Sequence, residues 1–290
     1  MNSVKREHYR YYGLARIHLI IVSVIIVGIL LAIFLHKAAG TTIMGFGIYM
    51  FLSYWIPIIY FSREQKPHEA KEGKMGANEV IIRPARVGDA SIAARLMFYA
   101  GPSYMLSFFG KTENKAVGVL RRMFPLPGHM TSYSYTFIAE DKGNVVGSVS
   151  GFDGKSWRTS ARASWMYGPI WFAVATPWQI PRMIAAFNDF DKAFPLVSDE
   201  EYYIEHLAVL PELRGQGIGK QLMEFAADQA QMKGLKRLAL DVEIENEEAQ
   251  RFYERLGFHK AKVVTEPSYC KRFNFQGSIR MVKIIAKSEQ

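Results

Sequence analysis

The sequence predicts an α/β layered body preceded by a pair of apolar helices of membrane-spanning length. Three observations carry that reading. From residue 79 onward, short β-rich runs alternate with amphipathic helical stretches, the order of a sheet covered by helices. One β-rich run, Glu201–Leu210, passes through Pro211 into glycines at 215, 217 and 219 and then into a helix. Ahead of residue 79 lie two long runs with no formal charge, His18 counted as neutral.

Composition bounds the possibilities. With 290 residues and 49% hydrophobic side chains, the chain can bury a real core and is too apolar to be disordered. Its 23 glycines and 12 prolines are too few for a fibrous protein. Cys270 is the single cysteine, which excludes an intrachain disulfide and a multi-cysteine zinc site and fits a reducing compartment. The formal charge is +9, and more than half of that surplus sits in residues 1–78. A nucleic-acid-binding protein would concentrate it on the folded body, so no nucleic acid partner is expected.

The elements follow in order. Ile17–Leu35 and Thr41–Phe61 are each about long enough, at 1.5 Å per residue, to cross a hydrocarbon core of roughly 30 Å. Lys5, Arg6, Arg10 and Arg16 precede the first run, and Arg63, Lys66, Lys71 and Lys74 follow the second, with only Lys37 between them. The positive-inside rule places both termini in the cytoplasm, anchored in membrane lipid by a two-span hairpin. Residues 62–78 read as a polar linker broken by Pro67, Gly73 and Gly76. In the body (79–290), Val80–Arg83 is a strand. Asp89 caps a helix bearing Ile92, Leu96 and Met97, and a second helical stretch ends near Phe124. Tyr133–Ala139 and Asn144–Gly151 form a hairpin around Glu140–Gly143. Glu201–Leu210 is a strand, Gly217–Lys233 a helix, Arg237–Val242 a strand and Glu247–Leu256 a helix. His259–Thr265 and Ser278–Ile285 complete the strands.

The stretch from Glu201 to Gly219 carries the chemistry. Glycines let peptide N–H groups crowd around an anion because no Cβ blocks the approach. The helix that follows offers free donors and the positive end of its dipole, a natural seat for a phosphate or pyrophosphate. Arg214 can add a charge-assisted contact. The same turn also serves tight strand–helix packing. A dinucleotide fingerprint fails, since Lys220 stands where its third glycine belongs, and no kinase-type phosphate loop is present.

Arg214-Gly215-Gln216-Gly217-Ile218-Gly219 matches the Arg/Gln-x-x-Gly-x-Gly/Ala signature of the GNAT superfamily of acyl-CoA-dependent N-acyltransferases. Asn246, Ala249, Phe252, Tyr253, Gly257 and Phe258 match that family's second block. The body therefore resembles a GNAT enzyme over roughly residues 79–290, most firmly over 201–260. The resemblance implies a mixed, mostly antiparallel twisted sheet flanked by helices. It implies acetyl-CoA as cosubstrate, with pyrophosphate on the amides of Gly215, Gln216, Gly217, Ile218, Gly219 and Lys220 beside Arg214. The pantetheine arm would lie along Leu207, Ala208 and Val209, and Asn246 would contact the cofactor or order its loop. No metal is implied. Tyr253 takes the place of the acid that protonates the departing thiol, and it also contacts the cofactor. Glu205 takes the place of a base, with Glu243 and His206 ranked behind it, and strand alternation lets only one of Glu205 and His206 face the site. Cys270 reads as incidental rather than as an acyl-enzyme nucleophile.

Two departures from a minimal member stand out. About fifty residues, 152–200, separate strands that would otherwise connect almost directly, and they hold Trp157, Trp165, Trp171 and Trp178. This insertion fits a lid over the acceptor pocket, a bilayer-surface segment, or a cover for the sheet edge. Met97–Gly110 is similarly rich in Met, Tyr and Phe and reads as acceptor wall. The expected activity is acetyl transfer to a primary amine on a small molecule, peptide or protein. A non-catalytic, membrane-tethered acetyl-CoA sensor is the alternative.

Overall fold

The computed structural model describes residues 80–109, 112–166, 197–267, 270–271 and 276–285. The two apolar runs, the linker and residues 167–196 of the insertion lie outside the described residues. Among the described residues, no helix is long and apolar enough to cross a membrane.

Seven strands form one sheet in the order β1-β2-β3-β4-β5-β7-β6. They are β1 (Ile81–Pro84), β2 (Thr136–Asp141), β3 (Asn144–Asp153), β4 (Glu201–Val209), β5 (Arg237–Glu243), β6 (His259–Val264) and β7 (Ser278–Ile284). Every neighbouring pair is antiparallel except β4 and β5. The sheet is thus mixed and mostly antiparallel. Lys142 and Gly143 close the β2–β3 hairpin, both with positive φ, the twist-matched two-residue turn.

Helices cover the sheet in two groups. α1 (Ala90–Ala100), α2 (Pro102–Phe109) and α3 (Glu113–Met123) bury Ala93, Ala94, Met97, Met105, Phe108, Ala116 and Leu120 in one apolar cluster with Ile138 of β2. α5 (Ile218–Met232) and α6 (Glu247–Arg255) pack on a second cluster that holds Phe137 and Ala139, the residues flanking Ile138. Successive β2 side chains therefore serve opposite faces, the period-two alternation of a strand. Leu222 is fully buried at the centre of the second cluster, where such a side chain contributes about 1.5–3 kcal/mol.

Local chemistry adjusts several sequence-based expectations. Tyr133–Tyr135 is a 3₁₀ turn rather than strand, held by the Ser134 amide donating to Ser132 Oγ at 3.1 Å. Of the Met97–Gly110 segment, the described part through Phe109 is largely helical: α1 stops before Gly101, and Pro102, which suits a first helical position, begins α2. Asp89 does not cap the first amides of α1. Its carboxylate accepts the Arg86 amide at 2.7 Å and pairs with Arg83 at 2.8 Å, tying β1 to the entry of α1. The insertion opens with α4 (Gly154–Met166), whose start is held by Asp153 accepting the Ser156 amide at 2.7 Å.

Candidate active site

The site is built on a fork between β4 and β5. Their parallel pairing runs only from Glu201–Arg237 to Ile204–Leu240. Past that point β4 stays paired with β3 and β5 with β7, so the facing edges diverge. The Leu210 amide donates across to Val146 O of β3 at 3.0 Å. Alternation then turns the peptide groups of Ala208 toward β3 as well, and those of Leu207 and Val209 toward the open fork. Of the three β4 positions expected to meet a cofactor, Leu207 and Val209 offer free backbone. Ala208 does not, since its peptide is committed to β3 and its side chain is 6% exposed.

The glycine turn closes one end of the fork. Gly215 and Gly217 take φ of +78° and +84°, and Gly217 is the left-handed N-cap of α5 with no side chain filling the helix start. The first-turn amides of α5 thus stay available, as at any uncapped helix N-terminus. A Cβ at Gly219 would stand 3.3 Å from the Phe252 ring, which ties the turn to α6 by close packing. Arg214, Gln216 and Lys220 are exposed, and Lys220 pairs loosely with Glu224 at 3.6 Å. Ile218 is buried in the second cluster, so only its amide serves the turn. Asn246 has a defined structural task as the N-cap of α6, accepting the Ala249 amide through Oδ1 at 3.1 Å.

A cavity between the prongs is lined by Glu205, His206, Asp241, Glu243 and Tyr253, with Tyr104, Met105 and Trp157 among its apolar walls. The alternation argument that separated Glu205 from His206 fails here for a specific reason. In the β3–β4 ladder Ser150 pairs with His206 but Gly151 pairs with Ile204, leaving Glu205 as an extra residue, a β-bulge. Tyr202 and Ile204 lie in the second cluster, and past the bulge it is Leu207 and Val209 that pack against it. Parity therefore flips, and both Glu205 and His206 line the cavity.

The electrostatics follow from enclosure. Burial pushes the Glu205 carboxyl up to about 8, with Asp241 adding to the rise and Arg280 opposing it. Its proton therefore exchanges near neutrality. Burial pushes the Tyr253 phenol up to about 12, so it holds its proton. His206 is pushed down to about 3 by burial and stays neutral, its Nδ1 2.8 Å from Ser150 Oγ. Under the cavity, Arg280 donates to both oxygens of Asp241 at 2.8 Å, and Tyr203 donates to Asp241 at 3.0 Å. This pair is almost fully enclosed, with side chains 7% and 2% exposed. Asp241→Ala would take away the buried guanidinium's nearest carboxylate, leaving Glu201 at 3.8 Å. It is expected to lower unfolding free energy by about 3–5 kcal/mol, measured by urea denaturation.

A family model described as the acetyltransferase (GNAT) family matches residues 108–258, just over half of the chain. The chain belongs to this family. N-alpha-acetyltransferase 30 of Schizosaccharomyces pombe is 43% identical over 60 residues, 21% of this chain and 40% of that protein. The aminoalkylphosphonate N-acetyltransferase of Salmonella typhimurium is 40% identical over 58 residues, 20% of this chain and 38% of that protein. The matches thus span about two fifths of the length of these curated relatives. A solved N-acetyltransferase from Staphylococcus aureus Mu50 superimposes with a TM-score of 0.51 at 18% identity, over 69% of this chain and 98% of that one, and shares the GNAT fold.

Within this GNAT body, the structure brings Glu205 and Tyr253 to one cavity and sets the glycine turn at the end of the same fork. Asp241, Arg280 and Tyr203 went unread in the sequence, although Asp241 and Arg280 are charged residues within β-rich runs, a pattern that marks a buried pair. Cys270 is half-buried against the first cluster, and burial pushes its thiol up, away from the reactive thiolate. Among the described residues, no group of three or more His, Cys, Asp or Glu is placed to hold a metal ion.

Proposed function

We propose that the protein transfers the acetyl group of acetyl-CoA directly to a primary amine within a ternary complex. One observation carries this: a single fork joins an anion-ready glycine turn, a free strand edge, and a cavity holding both Glu205 and Tyr253. The amides at Gly217–Lys220 suit the pyrophosphate, with Arg214 alongside. Leu207 and Val209 offer the extended pantetheine arm a strand to pair with. Glu205 takes the proton of the acceptor ammonium, and the freed amine attacks the thioester carbonyl. As the carbon–sulfur bond breaks, Tyr253 gives its proton to the departing thiolate, and the proton shed by the newly acylated nitrogen returns through solvent to the phenol. Holding both reactants in the fork supplies much of the rate.

The tether belongs to the same proposal. The uncharged runs 17–35 and 41–61, flanked by basic residues on their outer sides, support a two-span anchor in membrane lipid with both termini and the catalytic body in the cytoplasm.

The test is a titration of acetyl-CoA against the full chain together with acceptor-dependent thiol release. A β-branched side chain at Gly217 must adopt a left-handed backbone, a strain of about 1–3 kcal/mol. Gly217→Val is therefore expected to weaken acetyl-CoA binding roughly 10- to 100-fold, read by calorimetry. Unchanged affinity removes the turn from the cofactor site. Tight binding with no thiol release from any amine replaces the enzyme reading with the sensor.

A further inference from the structure

The names of the two curated relatives point to unlike acceptors, so the cavity itself is the guide to what this chain acetylates. Five buried side-chain polar atoms among the described residues have no hydrogen-bond partner, and three of them belong to residues lining this cavity: His206 Nε2, Glu243 Oε1 and Ser278 Oγ. Buried polar atoms are ordinarily satisfied, so their gathering here points to a polar guest. Ser278 is 1% exposed and His206 4%. Glu243 and Ser278 are direct partners across the β5–β7 ladder, so their side chains share a face.

Charge narrows the guest's chemistry. Three carboxylates line the cavity, and the Asp241 charge is taken up by Arg280. Glu205 and Glu243 remain. Ile204 pairs with Leu240, so Glu205 stands level with Asp241, and Glu243 lies two residues, about 7 Å, further along β5. Tyr104, Met105 and Trp157 give the same cavity apolar walls. Glu243 is also hydrogen-bonded to the Ser103 side chain and the Tyr104 amide at the start of α2, and burial and Glu245 push its carboxyl up. An arriving cation would favour its charged form.

We propose that the cavity accepts a diamine: the reacting nitrogen sits at Glu205, a short apolar stem runs along Met105 and Trp157, and Glu243 with Ser278 holds a second, cationic nitrogen. This rests on the acetyltransferase reading above and names the acceptor for it. The second nitrogen fills the unpartnered oxygens of Glu243 and Ser278 with charge-assisted hydrogen bonds. A monoamine of equal length leaves them empty.

The experiment measures thiol release by the full chain with 1,4-diaminobutane and 1,5-diaminopentane against butylamine and pentylamine. The readout is the ratio of kcat/KM for diamine over monoamine within one variant, so that a general disturbance of α2 cancels. The wild-type ratio is expected at roughly 10- to 100-fold, the worth of a hydrogen bond to a charged group. Glu243→Gln keeps an oxygen for Ser103 and the Tyr104 amide but loses the charge, and brings the ratio toward one. Ser278→Ala reduces it part of the way. A wild-type ratio near one, or a ratio unchanged in both variants, overturns the diamine site while leaving the transferase in place. Thiol release from no amine at all overturns both.

Discussion

Tyr253→Phe is expected to lower kcat by roughly 10²- to 10⁴-fold, the range that a positioned proton donor contributes, while acetyl-CoA still binds. Removing one oxygen preserves the ring's contacts with Phe252 and Phe258, whose centroids lie 5.2 and 5.8 Å away. Packing of α6 against the sheet is therefore retained, and the loss is chemical. Replacing acetyl-CoA by an acetyl thioester with a more acidic thiol should shrink the deficit, because a better leaving group needs less help. A deficit that ignores the leaving group would assign Tyr253 to cofactor packing instead.

Glu205→Gln is the second large effect. The wild-type carboxyl titrates at about 8, so the base form grows as pH rises through that value. The kcat/KM profile should climb tenfold per pH unit below it. In the variant that limb disappears, and the rate at pH 8 falls by about 10²-fold or more. Two acceptors with different amine pKa values separate the limbs, since the one owned by Glu205 stays fixed when the acceptor changes. Stability provides an independent reading. Folding raises this carboxyl above its ordinary 4.5, so between those values the native state binds more protons than the unfolded chain. The Glu205 contribution to stability is then present at low pH and lost as pH rises toward 8. Glu205→Gln should remove that slope in urea denaturation measured from pH 5 to 9.

The sequence made the scaffold legible because its cues are local. The run Glu201–Leu210 ended by Pro211, the glycines beyond it and the helix after them are read from neighbours in the chain, and the structure places β4, the turn and α5 there. The cavity was less legible because its cues are not local. The bulge at Glu205 exists only in register with β3, so period-two counting along β4 assigned His206 to the wrong face. Asp241 and Arg280 lie 39 residues apart and become one ion pair only when β5 and β7 align. Asn246, a motif position expected to touch the cofactor or order its loop, is the cap that starts α6 and also lines the cavity. Pro102 was a legible helix start, and the aromatic-rich segment around it is helical while Tyr104 and Met105 line the cavity.

The surplus residue in β4 acts as a phase shifter. Ahead of it the even-numbered side chains belong to the layer shared with α5. Beyond it the odd-numbered ones do. Tolerance to polar replacement along this strand must therefore slip by half a cycle at Glu205, and deleting that single position would re-clock everything on one side of it. The spacing between the carboxylate and the glycines downstream is thus metered by one amino acid, and losing it would put the two out of step.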